Sequence, residues 1–172
     1  MGIRLFAGLL ASLLLLVVLP VDAKQPIRII EGTVTRVSDG DTIQVTDQLG
    51  TKVKVRLYGI DAPETAKGPK PGQPYGEESF QALRQKVDHQ RVRLDVMDID
   101  KYKRLVAIVW LSDRNINQEM IFDGAAWAYR KYLDRAYASE WTSNEEQARK
   151  AGMGLWRQNN PQPPWDFRKV KR

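Results

Sequence analysis

The stretch KVKVRLYGIDAPE, Lys52 to Glu64, alternates polar and apolar side chains as far as Ile60 and then runs into a proline. Period-two alternation predicts a strand with one face in a core. Pro63 has a fixed φ and no N–H, so the chain must turn out of the ladder there. Arg56 stands between Val55 and Leu57 in a half-buried strand and needs an anionic partner, either a carboxylate of the protein or a phosphate. Alternation places Arg56, Tyr58 and Ile60 on one face and Asp61 on the other. A bulge at Gly59 or the turn at Pro63 would bring Arg56 and Asp61 together, and alternation alone does not choose between them.

Upstream, Ile27 to Val37 is rich in β-formers, SDGD offers a tight turn, and TIQV resumes at Thr42. A further turn over Thr46 to Gly50 leads into the quoted stretch, so three consecutive antiparallel strands are expected. Downstream, the proline- and glycine-rich segment Ala66 to Gly76 reads as an exposed loop. Glu77 to Val87 then carries Phe80, Leu83 and Val87 at helical spacing. Two more strands are expected near Arg91 to Val96 and Leu105 to Leu111. Three strands, a helix and two strands suit an α+β protein built on a five-stranded OB-fold barrel. Short helices over Asn117 to Phe122 and Ser143 to Ala151, ended by Gly124 and Gly152, bring the expected helices to about three and would pack on the barrel's open side. From Asn159 onward, PQPPWDF and RKVKR predict a loosely ordered, basic tail over residues 159–172.

Residues 1–23 have the layout of a secretory leader: Arg4, an apolar run from Leu5 to Leu19, and Pro20 to Ala23 before a cut. The run is shorter than the roughly 20 residues that span a bilayer. Cleavage after Ala23 and a secreted or periplasmic protein without stable membrane insertion are expected, with an uncleaved membrane anchor as the alternative. Removing residues 1–23 from 172 leaves a piece of 149, a natural size for one domain, here expected over 24–158. The chain has no cysteine, which excludes a disulfide scaffold. Its 27 basic and 21 acidic residues give a net charge of +6, a bias toward polyanions.

The chemistry lies in carboxylates and arginines. Asp39 and Asp41 in SDGDT, Asp61 and Glu64 in IDAPE, Arg56, and Arg104 in DKYKR form a set suited to phosphodiester hydrolysis. Hard oxygens can hold a cation such as calcium, guanidinium groups can fork onto phosphate, and a free glutamate can take a proton from water. Each has a plainer role. Asp39, Gly40 and Asp41 suit a hairpin turn, Glu64 an exposed loop, and Arg104 a solvated corner. Adjacent strands of a small barrel could bring Asp41 and Asp61 close, and two such carboxylates repel unless a cation lies between them. Lys101 and Tyr102 could add a phosphate contact and an aromatic surface. WAYRKY, Trp127 to Tyr132, fits either base stacking or core packing by Trp127. Trp110 and Trp156 are expected in the core and His89 on the surface. A single histidine builds no zinc cluster.

SDGDT, RLYGIDAPE, the YGEES helix start, DKYKR, NQEMIFDGAAW and EEQARKAGMGLW occur in the order in which the thermonuclease, or staphylococcal-nuclease-like, family has them. The chain resembles that family from about Ile30 to Trp156. The resemblance implies calcium held by Asp41, Asp61 and the carbonyl of Ala62, phosphate clamped by Arg56 and Arg104, and Glu64 as general base, with 3′-phosphate products. It implies Lys101 and Tyr102 near a terminal phosphate, and Tyr129 and Tyr132 beside a base. Lys103 departs from the glycine usual in the family.

Three functions follow. The first is a monomeric, calcium-dependent nuclease acting on DNA and RNA, single strands favoured, with little sequence preference. The second is a non-catalytic OB-fold module that binds nucleic acid. The third is a cell-surface adaptor with a basic tail for anionic polymers.

Overall fold

A computed structural model describes residues 24–170; the leader expected over 1–23 lies outside the described residues. β1 (Arg28–Asp39), β2 (Thr42–Asp47) and β3 (Lys52–Leu57) form the expected antiparallel meander, followed by the two-residue β4 (Ile60–Asp61). Helix α1 (Gly76–Val87) then leads to β5 (Arg91–Ile99) and β6 (Leu105–Leu111). The strand order is β3-β2-β1-β5-β6, and a parallel pairing of β3 with β6 closes it into a barrel. Alternation fills the interior: Val34, Ile43, Val45, Val55, Leu94 and Val109 are fully buried.

After β6 come the short β7 (Arg114–Asn115), α2 (Ile116–Phe122), β8 (Trp127–Ala128), α3 (Arg135–Lys150) and α4 (Pro164–Val170). β8 pairs with β4, which fixes Asp61 opposite Trp127. Asn117 locks this side. Its Oδ1 accepts from the Val109 N–H at 2.9 Å, and its Nδ2 donates to the carbonyls of Tyr58 (2.9 Å) and Ala107 (3.1 Å). All three of these bonds are buried, so Asn117 ties the end of β3 to β6.

Two expectations need correction. Helix α3 begins eight residues before Ser143, because Asp134 caps it by accepting the Ala136 N–H at 3.0 Å and Trp141, Glu145 and Ala148 give it a buried stripe. As far as Val170 the tail is not loose: α4 is a fourth helix, with Pro164 as its first residue. Upstream of it, the Gln162 carbonyl accepts a 2.5 Å bond from Nε2 of Gln73, a buried residue of the loop that is exposed from Ala66 to Pro71.

Candidate active site

The β1–β2 turn and the end of β3 meet because Thr42 pairs with Arg56 and the Leu57 N–H donates to the Asp41 carbonyl at 2.8 Å. Asp39 Oδ1 accepts the Asp41 N–H at 3.2 Å, so the plain turn role of Asp39 holds too. Gly40 is required by space: a Cβ there would lie 2.0 Å from Ser79 Oγ on α1. Asp41 Oδ2 accepts the Ala62 N–H at 2.8 Å, and its Oδ1 accepts from the Thr42 hydroxyl at 3.0 Å. Arg56 places Nη1 on Asp41 and Nη2 on Asp61 Oδ1, the latter at 2.7 Å. One guanidinium therefore bridges two buried carboxylates. The reversal that permits this is at Gly59, whose φ of +69° lies between β3 and β4.

Glu64 follows the Pro63 turn and is held by Gln73, whose N–H donates to the Glu64 carbonyl at 2.7 Å. Arg104 is bound by the β5–β6 turn, not by the carboxylate pair. Its Nε donates to Asp100 Oδ2 at 2.7 Å, while Asp100 Oδ1 accepts the N–H groups of Tyr102 (2.9 Å) and Arg104 (3.0 Å). Val106, two positions on, pairs with Arg56, so Arg104 lies just before the neighbouring strand. Lys101 and Arg104 both cover the exposed Tyr102 ring, at 5.1 and 5.5 Å. Tyr129 joins the site through its N–H bond to the Gly59 carbonyl at 2.8 Å, and Tyr132 meets it edge-on at 4.8 Å. Trp127 is buried, as core packing requires, whereas Trp110 and Trp156 are only partly buried. His89 is exposed.

A family model described as staphylococcal nuclease homologue matches residues 54–158. The chain belongs to the staphylococcal nuclease family. It is 36% identical over 139 residues to an uncharacterized endonuclease of Haemophilus influenzae, covering 81% of this chain and 73% of the relative. It is 34% identical over 150 residues to a micrococcal nuclease of Shigella flexneri, covering 82% of each. A probable staphylococcal-like nuclease of Oryza sativa subsp. japonica is 36% identical over 124 residues, 72% of this chain but 35% of the plant protein. The protein is a nuclease, an enzyme of the hydrolase class.

Electrostatics in this nuclease favour a cation at the carboxylate pair. Burial pushes Asp41 up to about 8, with Asp39 and Asp61 adding to the rise against the pull of Arg56. Ionising these hard, buried oxygens carries a desolvation cost that the charge of a hard divalent ion would offset. Among the described residues no three acidic, histidine or cysteine side chains form a metal cage. Asp41 and Asp61, with Ala62 buried beside them, are the residues that could hold such an ion.

Two residues of α4 escaped the sequence reading. Arg168 Nη2 lies 2.7 Å from Asp61 Oδ2, and its Nη1 lies 2.7 Å from Glu64 Oε1 and 3.1 Å from Asp61 Oδ1. Burial alone would lower the guanidinium's pKa, but these bonds outweigh it and raise it. Trp165 stacks on Tyr129 with centroids 5.0 Å apart and planes 3° from parallel. Their spacing of three, after a proline suited to a helix start, was the signal available in the sequence.

Proposed function

We propose that this nuclease is calcium-dependent and hydrolyses phosphodiester bonds of DNA and RNA with little sequence preference, leaving 3′-phosphate ends. The observation that carries this reading is Arg56 with Asp41 and Asp61 on its two terminal nitrogens, one strand away from Tyr129. Asp41, Asp61 and the Ala62 carbonyl would hold calcium, which when bound supplies a positive charge that neutralises a phosphate oxygen. Charge on the carboxylates is then balanced without Arg56, whose planar fork can turn to two phosphate oxygens as negative charge grows on them.

Arg104, held by Asp100 at the start of the adjacent strand, would meet the phosphate from another side. Glu64, partly exposed on a turn fixed by Pro63 and Gln73, would take the proton from a water attacking phosphorus in line with the departing 5′ oxygen. Lys101 and Tyr102 would approach a terminal phosphate. Tyr129, flanked by Tyr132, would stack a base, which favours unpaired strands because a paired base keeps its faces covered. Stacking and phosphate contacts carry little base information, hence the low sequence preference. The same reading takes the protein as a monomer exported by a cleaved leader.

The test is cleavage of labelled single-stranded DNA by the purified protein with calcium, and again after a chelator. Calcium-dependent cleavage whose products become substrates for a 3′-phosphatase is expected. Tight binding with no cleavage at any calcium concentration would identify a binding module instead.

A further inference from the structure

We propose that α4 is a built-in competitor that occupies the active site and must be displaced by cation and nucleic acid. The proposal rests on the functional reading above for the identity of those two ligands. Arg168 delivers a positive charge to Asp61 and Glu64 through three bonds of 2.7 to 3.1 Å. That places it on one of the two carboxylates assigned to the cation and on the carboxylate assigned to the attacking water. Both cannot serve their roles while a guanidinium holds them.

One turn earlier on the same helix, Trp165 lies flat on Tyr129, with planes 3° apart. A flat indole on that ring occupies the position an unpaired base would take. Tyr129 and Trp165 also line a cleft of about 720 Å³ whose wall sets Arg130, Lys131, Arg149 and Lys169 against Glu145 and Glu146, so the stack stands in a groove with more basic than acidic side chains. The helix therefore imitates both halves of the substrate complex, the cation with Arg168 and the base with Trp165.

The attachment is built to exchange. α4 has seven residues, too few to persist as a helix without packing. The Arg168 side chain remains 40% exposed, so water and ions reach its bonds. Trp165 also meets Trp127 edge-on at 5.6 Å. Upstream, the Gln73–Gln162 bond tethers the segment next to Glu64, so a released helix stays close enough to return.

The test has two arms, neither of which reads cleavage. Calcium binding is measured by titration calorimetry without nucleic acid, for the wild-type protein, for Arg168→Gln and for a chain ending at Pro163. At least threefold tighter binding is expected in both variants. In the second arm a labelled oligothymidylate is titrated by anisotropy in the presence of chelator, for wild type and Trp165→Ala, and at least threefold tighter binding is expected in the variant. Calcium affinity that is unchanged or weakened in both tail variants overturns the proposal, as does oligonucleotide affinity that Trp165→Ala leaves unchanged or weakens. If no form takes up calcium, the functional reading fails instead, and the oligonucleotide arm decides the role of α4 alone.

Discussion

Arg56 Nη2 lies 2.7 Å from Asp61 Oδ1, although the two residues are five apart and begin on opposite faces of an extended chain. Gly59 makes the meeting possible. Its backbone adopts a φ of +69°, and a Cβ there would lie 2.6 Å from Leu133 Cδ1 and 2.9 Å from Trp141 Cζ3.

Gly59→Ala should therefore lower stability by roughly 2–4 kcal/mol, combining left-handed strain with overpacking. Urea unfolding should show the loss as a lower midpoint with an unaltered slope. A midpoint equal to that of the parent would mean that the turn tolerates a side chain and does not dictate the site.

Replacing Arg56 with lysine retains the charge but removes the second nitrogen needed to span Asp41 and Asp61. The expected result is a fall in kcat of about 10²-fold with the fold retained by circular dichroism. Turnover at the parent rate would reduce Arg56 to a structural ion pair.

Asp100 accepts two backbone N–H groups and the Arg104 side chain. Burial would raise its pKa, but the bonds from Arg104 outweigh that and lower it from the ordinary 3.8. A carboxyl whose folded pKa is depressed contributes stability above its unfolded pKa and loses it as the pH falls through the folded value. Asp100→Ala should cost about 1–2 kcal/mol at neutral pH, and the gap from wild type should shrink when melting is followed below pH 3.8. A gap that stays constant into strong acid would show that the ionised form is not what stabilises the turn.

Lys103 adopts a φ of +62°, the left-handed backbone for which glycine carries no Cβ penalty. Lys103→Gly should raise stability by about 1 kcal/mol, read as a higher melting temperature. A lower melting temperature would mean that the lysine side chain makes up for its backbone strain.

The barrel was legible because its signals are local. KVKVRLYGI alternates, SDGD turns, and Leu83 and Val87 bury the helical face. Asp41 and Asp61 were legible as neighbours because a hairpin joins β2 to β3 and the chain must turn by Pro63. The choice of Gly59 as the pivot was not legible, since it depends on β8 pairing with β4, a contact across more than 60 residues. Arg104's attachment to Asp100 was readable as a turn but not as a clamp. The α4 contacts were hidden for a different reason. A seven-residue segment with three prolines just before its second residue has little intrinsic helicity, and only docking against Tyr129, Asp61 and Glu64 gives it a place.

Closure of the barrel has a kinetic meaning as well. Val55, Arg56 and Leu57 find Leu105, Val106 and Ala107 only after some 50 intervening residues have folded, and pairings that span so much chain form slowly. Arg56 sits in that seam. A half-made molecule therefore has Asp41, Arg56 and Asp61 together on the meander but lacks Arg104, which β6 brings alongside, so the candidate site is complete only when the barrel closes and comes apart at its first unzipping.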